Sequence, residues 1–199
     1  MFIAFEGLDG SGSSTQSRLL AERLEKNGHA VFLTKEPTKD TPTGKMIREI
    51  LQHRWEVAPE TLQLLFSADR AEHLRTQIEP ALKNKQVAIT DRYLFSTLAY
   101  GALDIPMGWL KTLNKNFRIP DVTFLFKLDP KECIKRIAGR GSDFELFEHH
   151  EKLVKIWGNY EKVAQDFPNF HIIDATKSIE EISEEIWGIV QQKTASPTN

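Results

Sequence analysis

Five short runs in which apolar positions follow one another almost without a break punctuate the chain. They are Met1–Glu6 (MFIAFE), His29–Thr34 (HAVFLT), Gln86–Thr90 (QVAIT), Val122–Leu128 (VTFLFKL) and Phe170–Asp174 (FHIID). All are rich in β-branched and aromatic residues and mainly apolar rather than alternating, the pattern of strands buried on both faces. The segments between them read as helices. Four strand-to-strand intervals filled by helices predict an α/β fold, a parallel sheet with crossover connections.

The helix signals are specific in places. Asp129-Pro130-Lys131-Glu132 supplies an N-cap acid, a proline at the first helical position and an acid at the third. Ser178-Ile179-Glu180-Glu181 is a capping box that opens the last helix. Leu146, Leu153, Trp157, Tyr160, Ala164 and Phe167 recur at helical spacing and predict one apolar face of a long amphipathic helix over 146–167. No linker, repeat or low-complexity stretch divides the chain. Residues 1–193 are expected to form one domain and residues 194–199 a frayed tail.

Composition narrows the class without naming a chemistry. The chain has 199 residues, 40% of them hydrophobic and 27% charged, which is ordinary globular usage. A chain of this length buries roughly 70% of its unfolded surface and needs no structural metal or disulfide to make a core. Lys and Arg total 26 against 28 Asp and Glu, a net charge of −2. That balance argues against a partner held by bulk electrostatics, such as a nucleic-acid polymer. The single cysteine, Cys133, excludes an internal disulfide and a Cys-rich zinc site. No apolar run approaches the ~20 residues of a membrane span, and no signal-type segment opens the chain, so a cytoplasmic protein is expected.

The first strand runs directly into Gly7-Leu8-Asp9-Gly10-Ser11-Gly12-Ser13-Ser14-Thr15, and a helical pattern follows over 16–26. Glycine, four residues, glycine and two further positions, set between strand and helix, match a P-loop. The glycines let successive N–H groups face phosphate oxygens, and the helix N-terminus adds partial positive charge. Ser14 falls where a hydroxyl would ligate Mg²⁺. The position before it is normally lysine and here is Ser13. By itself the loop indicates an anion site.

Other segments converge on the same edge of a parallel sheet. The third strand ends in Asp91-Arg92-Tyr93, followed by Ser96, Thr97 and Tyr100, so Asp91 could reach a metal shell and Arg92 a second phosphate. Lys35-Glu36-Pro37-Thr38 and Gly44-Lys45-Met46-Ile47-Arg48 follow the second strand. Phe66 and Arg70 stand one turn apart on a helix, able to stack on a planar ring and to donate to its carbonyl.

Taken together, FEGLDGSG, EPT with GKMIREIL, LLFSADRAEH, DRYLFSTLAY, PDVTFLFKLDP and DAT, in that order, resemble the thymidylate kinases over essentially the whole chain. The resemblance implies a P-loop fold with a five-stranded parallel sheet flanked by helices, a short lid at about 136–148, and usually a homodimer. It implies transfer of the γ-phosphate of ATP to dTMP with Mg²⁺. Gly7, Gly10, Ser11, Gly12, Ser13, Ser14 and Thr15 would hold the ATP phosphates, Arg136 and Arg140 the closing lid, and Asp174-Ala175 the adenine border. Asp9 would face the sugar 3′-hydroxyl, and Glu36, Pro37 and Arg48 would line the acceptor site. Phe66 would stack on thymine, Arg70 would hydrogen-bond it, and Ser96 and Thr97 lie beside that site. Arg92 would grip the acceptor phosphate, Tyr100 would disfavour ribose, and Ser14 and Asp91 would stand at the metal. Asp9, Asp91, Arg92 and Arg140 are the candidate catalytic residues.

Three departures stand against the family pattern. Ser13 replaces the P-loop lysine, and losing one preorganised charged donor to a transition state commonly costs on the order of 10²–10³ in rate. Gly10 occupies the position of a loop arginine, so the lid must supply one. Yet the arginine usually found just before a Phe-Glu pair is not evident, whether that pair is Phe144-Glu145 or Phe147-Glu148. Arg140, with Arg136 or Lys39, is the candidate to supply the missing charge when the lid closes. Gly101 stands where a glutamine normally follows the tyrosine. Two rival readings therefore remain at this point: a P-loop kinase with another nucleotide acceptor, and a nucleotide-binding homologue with little or no turnover. The remaining conspicuous residues read as structural. Cys133 is expected in the core, the tryptophans in packing, Glu180, Glu181, Glu184 and Glu185 on a solvated helix face, and His149-His150 about 100° apart on a helix and so poorly placed to share a metal.

Overall fold

A computed structural model describes residues 1–139 and 149–195. Arg140, both Phe-Glu pairs of the expected lid, Leu146 and the end of the tail lie outside the described residues. The five apolar runs form β1 (Phe2–Gly7), β2 (Val31–Lys35), β3 (Val87–Asp91), β4 (Val122–Lys127) and β5 (Phe170–Asp174), within two residues of the expected bounds. They pair in parallel in the order β2-β3-β1-β4-β5. The helices are α1 (Ser13–Lys26), α2 (Pro42–Leu51), α3 (Pro59–His73), α4 (Glu79–Lys83), α5 (Leu94–Gly101), α6 (Met107–Asn114), α7 (Pro130–Ala138), α8 (His150–Asp166) and α9 (Ile179–Ala195). A π-helical turn over Leu74–Ile78 joins α3 to α4 just before Pro80, which has no N–H to continue a regular ladder.

Burial on both faces holds for the three central strands and fails at the sheet's edges. β1 and β3 are buried throughout, and β4 up to its last residue, whereas Leu33 of β2 is 41% exposed and Ile172 of β5 57%. An edge strand has a neighbour on one side only, and its apolar composition records the sheet rather than full coverage. The core packs Phe5 against Phe124 and Phe126 of β4, with Leu20 and Leu24 of α1 and Leu94, Phe95 and Leu98 of α5 closing around the sheet.

Both predicted caps form. Asp129 accepts from the Lys131 N–H at 2.7 Å, and Ser178 and Glu181 exchange bonds at 3.2 and 2.9 Å. The long helix differs from its expectation. It ends at Asp166, and the line buried against the core is Leu153, Ile156, Tyr160 and Val163. Spacings of three and four keep that line straight, with Trp157 and Ala164 only partly buried beside it. Phe167 follows the helix in extended backbone and meets Phe95 edge-on at 4.9 Å. Cys133 is buried as expected, while Trp55 and Trp109 sit at the surface. Among the described residues, no helix is long and apolar enough to cross a membrane.

Candidate active site at the carboxyl edge of the sheet

The parallel sheet brings Gly7, Lys35, Asp91, Lys127 and Asp174 to one edge, since each ends its strand there. β1 passes through the glycine loop into α1, whose N-cap residue, Gly12, is left-handed at φ 99°. No side chain caps this helix and no acid stands in its first turn. Its first N–H groups therefore offer partial positive charge to an anion without internal competition. Thr15 is already helical, its N–H bonded to Gly12 O at 3.1 Å. The loop lies hard against α7: a Cβ on Gly10, at φ 85°, would come within 2.5 Å of the Cys133 carbonyl oxygen. An arginine at position 10 has no room in this chain. Arg136 crosses the loop, donating to Ser11 O at 3.5 Å and to Ala175 O at 3.2 Å, which ties the phosphate loop to the end of β5. Asp174 turns to Thr176, accepting from its N–H and its hydroxyl.

Asp91 is the hub of the loop's inner corner. Ser13 Oγ donates to its Oδ1 at 3.2 Å and Ser14 Oγ to its Oδ2 at 2.5 Å. Lys35 Nζ reaches the same Oδ2 at 2.8 Å, because β2 and β3 place Lys35 directly opposite Asp91 in register. Burial alone would raise the Asp91 carboxyl, but the charges of Lys35 and then Arg92, with these hydrogen bonds, hold it below its ordinary value. An ionised carboxylate beside a hydroxyl gives hard oxygen donors of the kind Mg²⁺ takes together with phosphate and water oxygens. His149 and His150 are both exposed, and among the described residues no group of three or more His, Cys, Asp or Glu side chains could hold a metal.

Arg92 turns the chain from β3 into α5 with φ 73°, a left-handed conformation that a non-glycine residue adopts at a cost. The turn aims its guanidinium back across the loop. Nη1 donates to Gly7 O at 3.0 Å and Ser96 Oγ at 3.1 Å, while Nη2 donates to Asp9 Oδ1 at 2.6 Å and Tyr100 OH at 3.1 Å. Tyr100 OH donates in turn to Asp9 Oδ2 at 3.0 Å. Although burial works against its charge, the neighbouring Asp9 holds the guanidinium well above its usual pKa. Beneath this cluster, Glu6 is fully buried and accepts from Tyr93 N, Ser96 N, Ser96 Oγ and Tyr160 OH. Burial outweighs those donors and pushes its carboxyl up to about 7.

The acceptor-side residues are largely engaged with one another. Arg70 is 1% exposed and donates to Glu36 Oε2 at 2.9 Å, Asn114 Oδ1 at 2.7 Å and Thr97 Oγ1 at 3.0 Å. His73 bridges Glu36 and Thr34. Pro37 follows a cis peptide bond after Glu36. Asp69, also 1% exposed, accepts from Thr38 N and from the hydroxyls of Thr38, Thr41 and Thr43, which clamps the entry of α2 onto α3. Burial raises the Asp69 carboxyl, but this set of hydrogen bonds, led by Thr38 and Thr41, brings it below its ordinary value. Gly44 belongs to the same turn: a Cβ there would lie 2.0 Å from Thr38 O. Arg48 closes the turn by donating to the carbonyls of Thr38 and Lys39. Phe66 packs beside Ile47, Ile50 and Leu62, with one face short of full burial.

The expected site residues thus gather in two groups: the loop with Asp91 and Arg136, and Asp9, Arg92, Ser96 and Tyr100 joined to the Arg70 cluster through α5. Arg70 and Arg48 carry internal duties that their role as ligand donors did not foresee. Lys39, exposed on its loop, is not tied to Asp91. Residues the sequence reading passed over are Lys35, Glu6, Asp69, His73, Asn114 and Tyr160. Glu6 could have been found, since an acid closing an otherwise apolar run and buried with its strand must have partners.

The sequence model described as thymidylate kinase matches residues 5–186. The chain is 42% identical over 205 residues to a protein named "Probable thymidylate kinase" of Thermococcus gammatolerans, covering 98% of each. It is 40% identical over 193 residues to one of that name from Methanocaldococcus jannaschii, covering 96% of each. To another so named, from Sulfolobus acidocaldarius, it is 38% identical over 192 residues, 94% of this chain and 95% of the relative.

Proposed function

The chain belongs to the thymidylate kinase family, and from that premise we propose that it phosphorylates dTMP to dTDP with ATP and Mg²⁺ as one P-loop kinase domain over 1–193. The observation that carries the proposal is the juxtaposition at one sheet edge of an uncapped helix N-terminus, a Ser14–Asp91 pair and the Arg92–Asp9–Tyr100 cluster. The first suits a triphosphate, the second a hard divalent cation and the third a second phosphate beside a sugar hydroxyl.

Phosphoryl transfer between two polyanions asks the protein for position and charge more than for covalent chemistry. An oxygen of the dTMP phosphate attacks the γ-phosphorus in line, and the bond to the bridging oxygen of the departing ADP breaks. Gly7, Gly10, Ser11, Gly12, Ser13, Ser14 and Thr15 cradle the donor phosphates, and Asp174 and Ala175 border the adenine. Ser14 and Asp91 would hold Mg²⁺, which supplies charge neutralisation on the phosphates when bound. Arg92 orients the acceptor phosphate, Asp9 the 3′-hydroxyl, and Tyr100 fills the 2′ side of the sugar. Phe66 stacks on the base. Arg70 spends three N–H bonds on Glu36, Asn114 and Thr97, and a remaining N–H would serve a base carbonyl. Glu36, Pro37, Arg48, Ser96 and Thr97 shape the wall. Arg136 and Arg140 would close over ATP and exclude water.

Exposed Met46 and Leu64 on the mutually packed α2 and α3 support association as a homodimer, and the cytoplasm is the proposed compartment. Light scattering of the purified chain tests the dimer. The activity is tested by coupled ADP release with dTMP, dUMP, dCMP and dAMP as acceptors. Turnover highest with dTMP is expected. A preference for dCMP or dAMP, or nucleotide binding without any turnover, would overturn the proposal.

A further inference from the structure

The phosphate loop lacks its lysine, yet a lysine does stand at the loop. Lys35 comes from the end of β2, two strands away from β1, and its ammonium rests 2.8 Å from Asp91 Oδ2. Ser14 Oγ is bound to that same oxygen, and Ser13 Oγ to its neighbour. Asp91 thereby carries, on one carboxylate, the residue that took the lysine's position and an ammonium supplied from elsewhere.

We infer that Lys35 supplies in trans-strand fashion the positive charge that Ser13 cannot, binding the terminal phosphates of the donor nucleotide; this rests on the kinase reading above. Three observations support it. Register fixes the origin: Lys35 pairs with Asp91, whose carboxylate accepts from Ser13 and Ser14 at the loop's end. The Lys35 side chain is 46% exposed, against 6% for Asp91, so the stem is free to swing while its partner is fixed. Chemistry fixes the preference: an ammonium on a flexible stem is a mobile point charge that suits phosphate oxygens. Ser14 and Asp91 would hold a divalent cation; its charge would compete with the Lys35 ammonium for the Asp91 carboxylate and leave the side chain to turn to the donor phosphates. Arg136, another cation at the loop, is tied to Ser11 O and Ala175 O on the side of β5, so it and Lys35 approach the loop from opposite flanks, while Arg92 is held on Gly7 O and Asp9.

The test is nucleotide binding, measured by calorimetry on the full chain without acceptor, in EDTA and again with Mg²⁺. Four proteins are compared: the native chain, Lys35→Met, Lys35→Arg, and Lys35→Met combined with Ser13→Lys. Lys35→Met is expected to weaken ATP at least 10-fold with Mg²⁺ and by less in EDTA, where Asp91 keeps the ammonium, while AMP, which lacks the β- and γ-phosphates, stays within twofold in both. Lys35→Arg keeps the charge and should stay within a few-fold of the native chain. Ser13→Lys should restore most of what Lys35→Met loses. ATP affinity unchanged by Lys35→Met, equal weakening of ATP and AMP, or no recovery with Ser13→Lys would each overturn the inference. A native chain that binds no ATP at all defeats the kinase reading itself, a result separate from these.

Discussion

Gly101 and Gln63 occupy one another's space across the α3–α5 contact: a Cβ on Gly101 would lie 2.9 Å from Gln63 Cδ and 3.0 Å from Leu110 Cδ2. The glutamine expected at position 101 is thus excluded by a glutamine already delivered from α3, on the helix that also carries Phe66 and Arg70. The amide has moved from one helix to the facing one.

Gly101→Ala sets two effects against each other. Removing a glycine from a helix gains about 0.5–1 kcal/mol, while overpacking a filled contact costs roughly 1–3 kcal/mol. Gln63 can yield into an adjoining cavity of about 260 Å³, but Leu110 is fully buried and cannot. A net loss of about 1 kcal/mol in urea unfolding is expected. Adding Gln63→Ala should recover part of it, giving a favourable coupling above about 0.5 kcal/mol. Strict additivity of the two changes would mean that the contact does not matter.

Asp69 organises the turn before α2 more than any residue of the turn itself. Asp69→Ala removes the shared acceptor of three threonine hydroxyls, which keep only their bonds to one another, and orphans the buried Thr38 N–H; an orphaned buried group costs about 1–3 kcal/mol. Partial access to water for Thr41 and Thr43 reduces the sum, so a loss of about 2–4 kcal/mol is expected. Because the clamp lies beside Glu36 and Arg48, the KM for dTMP should rise several-fold more than that for ATP. Equal changes in both would detach the clamp from the acceptor side.

The fold was legible in the sequence because a parallel sheet advertises itself locally: each central strand is apolar at nearly every position, and Asp129 and Ser178 mark helix starts by chemistry alone. The meeting of the loop, Asp91 and Arg92 at one sheet edge was legible too, through glycine spacing and the carboxyl-edge rule. Partnership was not. Lys35 meets Asp91 through the β2–β3 register, and Arg70 meets Asn114 across 44 positions of sequence. Neither has a periodic signature. For the same reason Arg70 and Arg48 read as free ligand donors, although buried charge must find partners within the fold before it can serve a ligand.

The Arg70–Glu36 pair puts a sign on that argument. Both side chains are almost fully buried, at 1% and 4% exposed, and Nη2 lies 2.7 Å from Oε2. Breaking a buried pair from one side leaves an uncompensated charge at about 3–5 kcal/mol. Glu36→Leu is therefore expected to lower stability by about that amount, and by more than Glu36→Gln, which keeps a hydrogen-bond acceptor for Arg70. Thermal unfolding of the two variants checks the order; equal melting temperatures would show that a neutral hydrogen-bond acceptor at position 36 does nothing for Arg70.

Glu6 gives the protein a pH dependence opposite in sign to that of its other displaced carboxylates. Burial raises its pKa from 4.5 to about 7, so the folded state holds this proton more tightly than the unfolded chain does. The stabilisation it contributes is full below pH about 4.5, declines as pH rises, and is gone above about 7, a span on the order of 3 kcal/mol. Asp69 and Asp91, whose pKa values are lowered, instead add stability that is lost only in stronger acid, as pH falls through their depressed values. His171, lowered by burial and by Lys193, opposes Glu6 as pH falls through the usual histidine range. The difference between the native chain and Glu6→Gln cancels these common contributions. Urea midpoints measured from pH 5 to pH 8 should therefore fall more steeply for the native chain than for Glu6→Gln. If Arg92 grips the acceptor phosphate as proposed, activity should follow the same span, because Ser96 Oγ donates to Glu6 and accepts from Arg92, so that Ser96 alone separates the proton on Glu6 from the guanidinium. Parallel stability curves for the two proteins would show that Glu6 keeps one charge state across this range.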